Sequence, residues 1–348
     1  MSLRVISNPE YKNWIAELSK RYRSAQIQAA VAINKEMLQF YWELGKEIVA
    51  RQWENQYGKG FFEKLSKDLK EAIPEAKGLS PRNLRYIEHF YKLYSSILPQ
   101  PVANFGMIEN LVFRVPWKHH RLLIDKFSEE PSNVLFYLNE IIKNNWSYVI
   151  LDHMIDSGLH LRQGKAITNF NYTLPSATGE LAQELTKDPY IFDFTNLTIP
   201  YQERELKEEL LKNITHFLLE LGEGFAFLGK EYRLKVGETE QYIDLLFYNL
   251  KIRAYFVLEV KVTQFEPGYI GQLGTYVTAV NHILKTDLDN PTIGLLICKN
   301  KDDVLAQYSL EGYNLPIGVS QYQLEKFLPE NFKSALPSIE EIEAKLKD

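Results

Sequence analysis

Two acids interrupt otherwise apolar runs in the second half of this chain. Tyr242-Ile243-Asp244-Leu245-Leu246-Phe247-Tyr248 sets Asp244 inside what reads as a buried strand. Tyr255-Phe256-Val257-Leu258-Glu259-Val260-Lys261-Val262 does the same with Glu259 and Lys261. An ionised carboxylate buried without a partner is strongly unfavourable, so any fold must bring a compensating group to each acid. Between the runs, Asn249-Leu250-Lys251-Ile252-Arg253 fits a short hairpin connection. Centring that hairpin between Lys251 and Ile252 places Asp244 opposite Glu259, where Cβ atoms stand roughly 4.5–5.5 Å apart and like charges repel. Lys261 falls on the same face as Glu259, because side chains alternate along a strand. Two readings stay open at this point. A hard divalent cation such as Mg²⁺ would resolve the repulsion and keep waters for phosphate oxygens. Alternatively, Lys261 pairs with Glu259 or Asp244 in a local salt bridge without metal. A one-residue slip of register would undo the pairing altogether.

The surrounding pattern is α-β-β-β-α-β-α-β. It comprises a helix over about 201–221, a strand from 225 to 236, strands at 242–248 and 254–262, a helix over 268–284, a strand at 292–298, a helix at 301–310 and a last strand at 317–322. This predicts a mixed α/β domain over 201–348 with buried central strands. Residues 163–200, punctuated by Gly164, Pro175, Gly179, Pro189 and Pro200, read as a structured linker.

Residues 1–162 read as an all-helical domain. Ala25, Ile27, Ala30, Val31, Ile33, Met37, Leu38, Tyr41, Trp42, Leu44, Ile48 and Val49 recur at helical steps as one broad apolar face. A shorter helix over 61–73 ends at Pro74 and Gly78, and Ser80-Pro81 opens the next with an N-cap and a first-turn proline. The pair resembles a helix-turn-helix, with Arg82, Asn83 and Arg85 in the first turns of its second helix, where a recognition helix meets DNA. Arg114, Lys118, His119, His120 and Arg121 form a basic cluster beside Trp117, a mixture suited to nucleic-acid contact. The plainer reading of both is a packed helix pair with solvated charges.

Charge and composition narrow the classes. Residues 1–170 carry 23 Lys and Arg against 18 Asp and Glu, and residues 171–348 carry 17 against 27. That asymmetry fits a first half that meets a polyanion. A single cysteine, Cys298, excludes an intrachain disulfide framework and a cysteine-rich zinc site. With no apolar stretch of membrane length and no apolar leader after Met1, the expected setting is the cytoplasm, away from membranes. The seven histidines are scattered, and no glycine-rich loop follows a strand, which disfavours a histidine metal site and P-loop or Rossmann nucleotide binding.

The runs 225–229, 242–248, 259–261, Gly271-Gln272-Leu273 and 291–299 resemble the YhcG family of the PD-(D/E)XK nuclease-like superfamily. Leu79-Ser80-Pro81-Arg82-Asn83-Leu84-Arg85-Tyr86 and the stretch 115–123 extend the resemblance across nearly the whole chain. It implies a restriction-endonuclease-like αβββαβ core behind a helical N-terminal domain. It further implies that Asp244, Glu259 and the Val260 carbonyl hold Mg²⁺ (or Mn²⁺) and that Lys261 is the catalytic lysine. Glu220 matches the acid that often assists from the first helix, and Gln272 matches a glutamine on the helix after the ExK strand. Ile243 stands where the proline of the "PD" motif would be. The expected activity is metal-dependent phosphodiester hydrolysis in a nucleic acid, DNA in particular. The alternative is a catalytically inactive DNA-binding or assembly protein that uses the nuclease fold as a scaffold. Exposed aromatic helices leave room for self-association.

Overall fold

The computed structural model describes residues 9–52, 58–97, 111–197 and 200–324. The chain forms two compact units that meet in sequence at Met154 and Ile155. No helix among the described residues is long and apolar enough to cross a membrane.

The first unit is helical: α1 (Pro9–Arg51), α2 (Phe61–Ala72), α3 (Pro81–Ile97), α4 (Trp117–Phe127), α5 (Ser132–Asn144) and α6 (Tyr148–Asp156). Among the described side chains, the apolar face expected along α1 packs in its last third. Leu38, Tyr41, Trp42 and Ile48 are buried, whereas Val31 and Ile33 remain 55% and 65% exposed. The reason is reach, since α3 meets α1 around Gly45. A Cβ there would lie 2.5 Å from the Ile87 carbonyl oxygen, so only glycine allows this close crossing. Trp42 then stands edge-on to Phe90 and Tyr91 with centroids 6.0 and 4.9 Å away, an arrangement aromatic quadrupoles favour.

The second unit holds α7 (Leu159–Arg162), β1 (Ile167–Thr168), α8 (Phe170–Thr173), α9 (Ser176–Leu185), β2 (Tyr190–Ile191), α10 (Glu203–Lys212) and α11 (Ile214–Leu221). After these come β3 (Phe225–Val236), β4 (Thr239–Asn249), β5 (Ala254–Gln264), α12 (Gly268–Ile283), β6 (Ile293–Asn300), α13 (Asp303–Leu310) and β7 (Ile317–Gln323). The sheet runs β1-β7-β6-β5-β4-β3, with β2 also paired to β7. β3, β4 and β5 are antiparallel, and β5, β6 and β7 are parallel. The αβββαβ order is therefore present, with the single helix expected over 201–221 broken into α10 and α11 at Asn213.

The described residues 163–197 are part of this unit and not a linker before it. Phe170, Leu174, Ala182, Tyr190 and Phe192 share one core cluster with Leu258, Val260 and Leu295. β1 and β2 pair with β7, and the Asn169 side chain donates to the carbonyls of Tyr313 and Leu315 and accepts from Ile317 N–H. These segments cover β7, which would otherwise present unpaired backbone at a sheet edge. Glycine and proline punctuation reported turns correctly here but said nothing about burial.

Glu220 belongs to the same framework. Its carboxylate, 3% exposed, takes both terminal nitrogens of the equally buried Arg162 and the Ile191 N–H at 2.8 Å, while Lys187 donates to its backbone carbonyl. Removing one partner of a buried pair strands the other charge. Arg162→Ala is therefore expected to lower unfolding free energy by about 3–5 kcal/mol. Arg204→Ala, which breaks only the exposed pair with Glu208, should leave the urea midpoint unchanged.

Candidate active site

The hairpin between β4 and β5 has the register that centring on Lys251 and Ile252 predicts. Asn249 partners Ala254, and the ladder continues to Leu245 opposite Leu258. The Asn249 side chain fixes this turn by accepting from Lys251 and Ile252 N–H and donating to the Glu223 carbonyl. Beyond Leu245 and Leu258 the two strands separate. β4 stays with β3 to Thr239, and β5 stays with β6 through Lys261 opposite Cys298. Asp244 and Glu259 are the first residues past the fork, so the acids sit where a sheet opens.

A third acid enters from α10. One carboxylate oxygen each of Glu203, Asp244 and Glu259 lies within 4.8 Å of the others. Two lysines thread between them. Lys261 Nζ is 2.8 Å from Glu259 Oε1 and 3.3 Å from Glu203 Oε1. Lys207 Nζ is 2.8 Å from Asp244 Oδ1 and 3.3 Å from the same Glu203 oxygen. Charges thus alternate around the site, and both ammonium groups are fixed by two carboxylates. Asp244 Oδ2 and Glu259 Oε2, by contrast, are buried with no hydrogen-bond partner. Two orphaned carboxylate oxygens beside a third acid make a donor set that suits a hard, oxygen-seeking divalent cation.

The electrostatics follow from burial. Desolvation first, and then the Asp244 charge, push Glu259 up to about 7, outweighing the hydrogen bond and charge of Lys261. Burial pulls Lys261 and Lys207 down, but their carboxylate partners more than offset this and both ammonium groups are held firmly charged. Cys298, buried in β6, has its thiol pushed up to about 12 chiefly by burial, which suits it to packing and not to nucleophilic attack.

Of the residues singled out in the sequence, Asp244, Glu259 and Lys261 are brought together. Val260 lies between the last two on β5, its side chain in the core. Glu220 is elsewhere, tied up by Arg162, and its place is taken by Glu203, which sequence reasoning missed together with Lys207. A signal was present: Glu203, Leu206, Lys207 and Leu210 form one helical face, and the two leucines are fully buried. Charged residues interleaved in a buried stripe pose on α10 the same question that Asp244 poses on β4. Gln272, on α12, is exposed and donates to Tyr276 on its own helix at 2.8 Å, outside the group that meets around Glu203.

The basic residues of the first unit divide. His119 and His120 are buried, so neither offers a surface for nucleic acid. His120 donates through Nε2 to the Val112 carbonyl, takes the Tyr94 hydroxyl at Nδ1, and is held neutral with its pKa pushed down to about 3 by burial. His119 Nε2 meets the Trp146 carbonyl at 3.0 Å. Asn83 donates to the Gly78 carbonyl and accepts from Trp117 Nε1, and Arg85 pairs with Glu63 at 2.7 Å. Arg114, Lys118, Arg82 and Arg121 retain exposed or half-exposed charge.

A mixed sheet that forks over converging acids and a lysine, with the αβββαβ order around it, defines a nuclease-like domain of the PD-(D/E)XK kind. Residues 183–337 match the family model of the YhcG PDDEXK nuclease domain, and residues 17–162 match that of the DUF1016 N-terminal domain. Together the two domain models span most of the chain. It is 27% identical over 331 residues, 87% of each chain, to an Escherichia coli (strain K12) protein named "Putative nuclease YhcG". Among solved structures, an EndoMS–dsDNA2 complex shares 21% identity over 38% of this chain and 49% of its own, with a TM-score of 0.28. A repair endonuclease from Pyrococcus abyssi shares 15% over 37% and 49%, with a TM-score of 0.25. Both likenesses are too slight to bear on function.

Without metal, the proton on Glu259 has a consequence for stability. The folded chain keeps it up to about 7, whereas the unfolded carboxyl, near 4.5, has already released it. The folded state therefore binds more protons across that window, and this group's contribution to stability falls as pH rises from the lower value to the higher. Urea midpoints in EDTA should drop over this range in the wild type, and Glu259→Gln should flatten the slope.

Proposed function

We propose that the second unit is a metal-dependent nuclease that hydrolyses phosphodiester bonds, with DNA as its substrate. The observation that carries this reading is the pair of orphaned oxygens on Asp244 and Glu259, two acids that meet Glu203 with carboxylate oxygens within 4.8 Å. Their chemistry fits Mg²⁺, with Mn²⁺ as a substitute. Asp244, Glu259 and Glu203 would hold the ion, together with the Val260 carbonyl that follows Glu259. A divalent ion in such a site polarises the phosphate and lowers the pKa of its bound water.

The protein's own groups supply the rest. Lys261, held charged between Glu259 and Glu203, presents its ammonium where negative charge grows on the phosphoryl oxygens. Lys207 occupies Asp244 Oδ1 and leaves Oδ2 as the oxygen without a partner. Glu203, on the first turn of α10, stays fixed because Gln202 and Glu205 close a capping box there. No covalent intermediate is needed, which agrees with the inert setting of Cys298.

The test is a cleavage assay on a panel of DNA and RNA structures with Mg²⁺ or Mn²⁺, alongside calorimetric titration of the metal. Lys261→Ala should retain metal binding and lose cleavage about 100-fold or more. Asp244→Ala should lose both. A wild type that binds no metal, paired with an Asp244→Ala chain that is more stable, would favour the scaffold alternative, since relief of carboxylate repulsion would then be the only effect.

A further inference from the structure

On the first unit, a cleft of about 330 Å³ opens between α1, α3 and α4. Its walls include Tyr41, Ser80, Arg82, Trp117 and Arg121. The two guanidinium groups come from different helices and are separated in sequence by 39 positions, yet both lie over one ring. Arg82 Cζ is 5.8 Å and Arg121 Cζ 4.7 Å from the Tyr86 centroid. Neither makes an ion pair among the described residues. Asp125, whose charge reaches Arg82, accepts from the Tyr86 hydroxyl at 2.7 and 2.9 Å. Arg121 Nε is buried without a hydrogen-bond partner. A buried, charged N–H with nothing to donate to is an open valence for an anion.

The remaining walls are rigid and occupied. Asn83 spends its amide on the Gly78 carbonyl and on Trp117 Nε1, fixing the floor of the cleft and the indole together. Arg85 is committed to Glu63 and to the face of Phe62. Of the three side chains that a recognition helix would turn to base edges, Asn83 is therefore consumed by packing and Arg85 is drawn to Glu63. What is left over is cationic and fork-shaped, a geometry that fits a phosphate.

We propose that this cleft seats a backbone phosphate of a nucleic acid, gripped by Arg82 and Arg121, and that it adds affinity without reading sequence. The inference rests on the reading that the chain acts on nucleic acid, and it assigns the first unit a phosphate anchor instead of a recognition helix.

The test uses the full chain in EDTA, so that cleavage plays no part. Anisotropy follows binding to two duplexes of equal length and unrelated sequence across a salt titration. In Arg82→Gln/Arg121→Gln, affinity should fall about tenfold on both duplexes alike. The slope of log affinity against log salt should shrink by about 0.9, the loss of one phosphate contact. Arg82→Lys/Arg121→Lys should keep most of that slope, and thermal melts check that each variant is folded. A folded glutamine variant with unchanged slope overturns the proposal, as does a loss confined to one duplex, which would mean base reading. Binding of AMP that requires the two arginines, with duplex affinity unchanged in the variant, would assign the cleft to a free nucleotide and also overturn it. A wild type that binds neither duplex would overturn the functional reading itself, whereas a normal wild type beside an unaffected variant sinks only the anchor.

Discussion

The repulsion among Glu203, Asp244 and Glu259 is the constraint to which the second unit is arranged. Three carboxylates in a partly dry space would not fold together unaided. The chain offsets them with two lysines and lets Glu259 hold a proton. The compensation is incomplete by design of the geometry: each lysine reaches the near oxygen of its partner and leaves the far oxygen bare. A site fully neutralised by its own residues would be a structural salt bridge. One left short by two oxygens has capacity for a cation.

Glu220 shows the contrast. It is as buried as Glu259, and it lies on the helix that sequence reasoning favoured. Yet both its oxygens are consumed, by the Arg162 fork and by the Ile191 N–H, so it ties α11 to α7 and β2 and has nothing left to offer. Burial alone therefore does not distinguish these two acids. The unmet oxygen of Glu259 does.

The first unit repeats that logic with cations. His119 and His120 read as part of a basic patch, but adjacent positions on a helix diverge from their neighbours by about a third of a turn, and both fell on the inward side. Once neutral and hydrogen-bonded, His120 belongs to the core with Phe90 and Tyr94, and His119 stands edge-on to Tyr148. Arg121, one position further, lies half-exposed at the cleft.

The order of elements, the hairpin register and the gathering of Asp244, Glu259 and Lys261 at one place were legible in the chain itself, because period-two alternation and a short turn are local properties. So was the family resemblance, carried by contiguous motifs. Which helix supplies the third acid was decided only in three dimensions. Glu203 and Glu220 lie on consecutive helices separated by one break at Asn213, and the turn there sends one acid to the sheet fork and the other into the core. The fate of residues 163–197 was likewise settled by the edge of β7, a strand more than a hundred residues away in sequence, which β1 and β2 pair and which no local pattern announces.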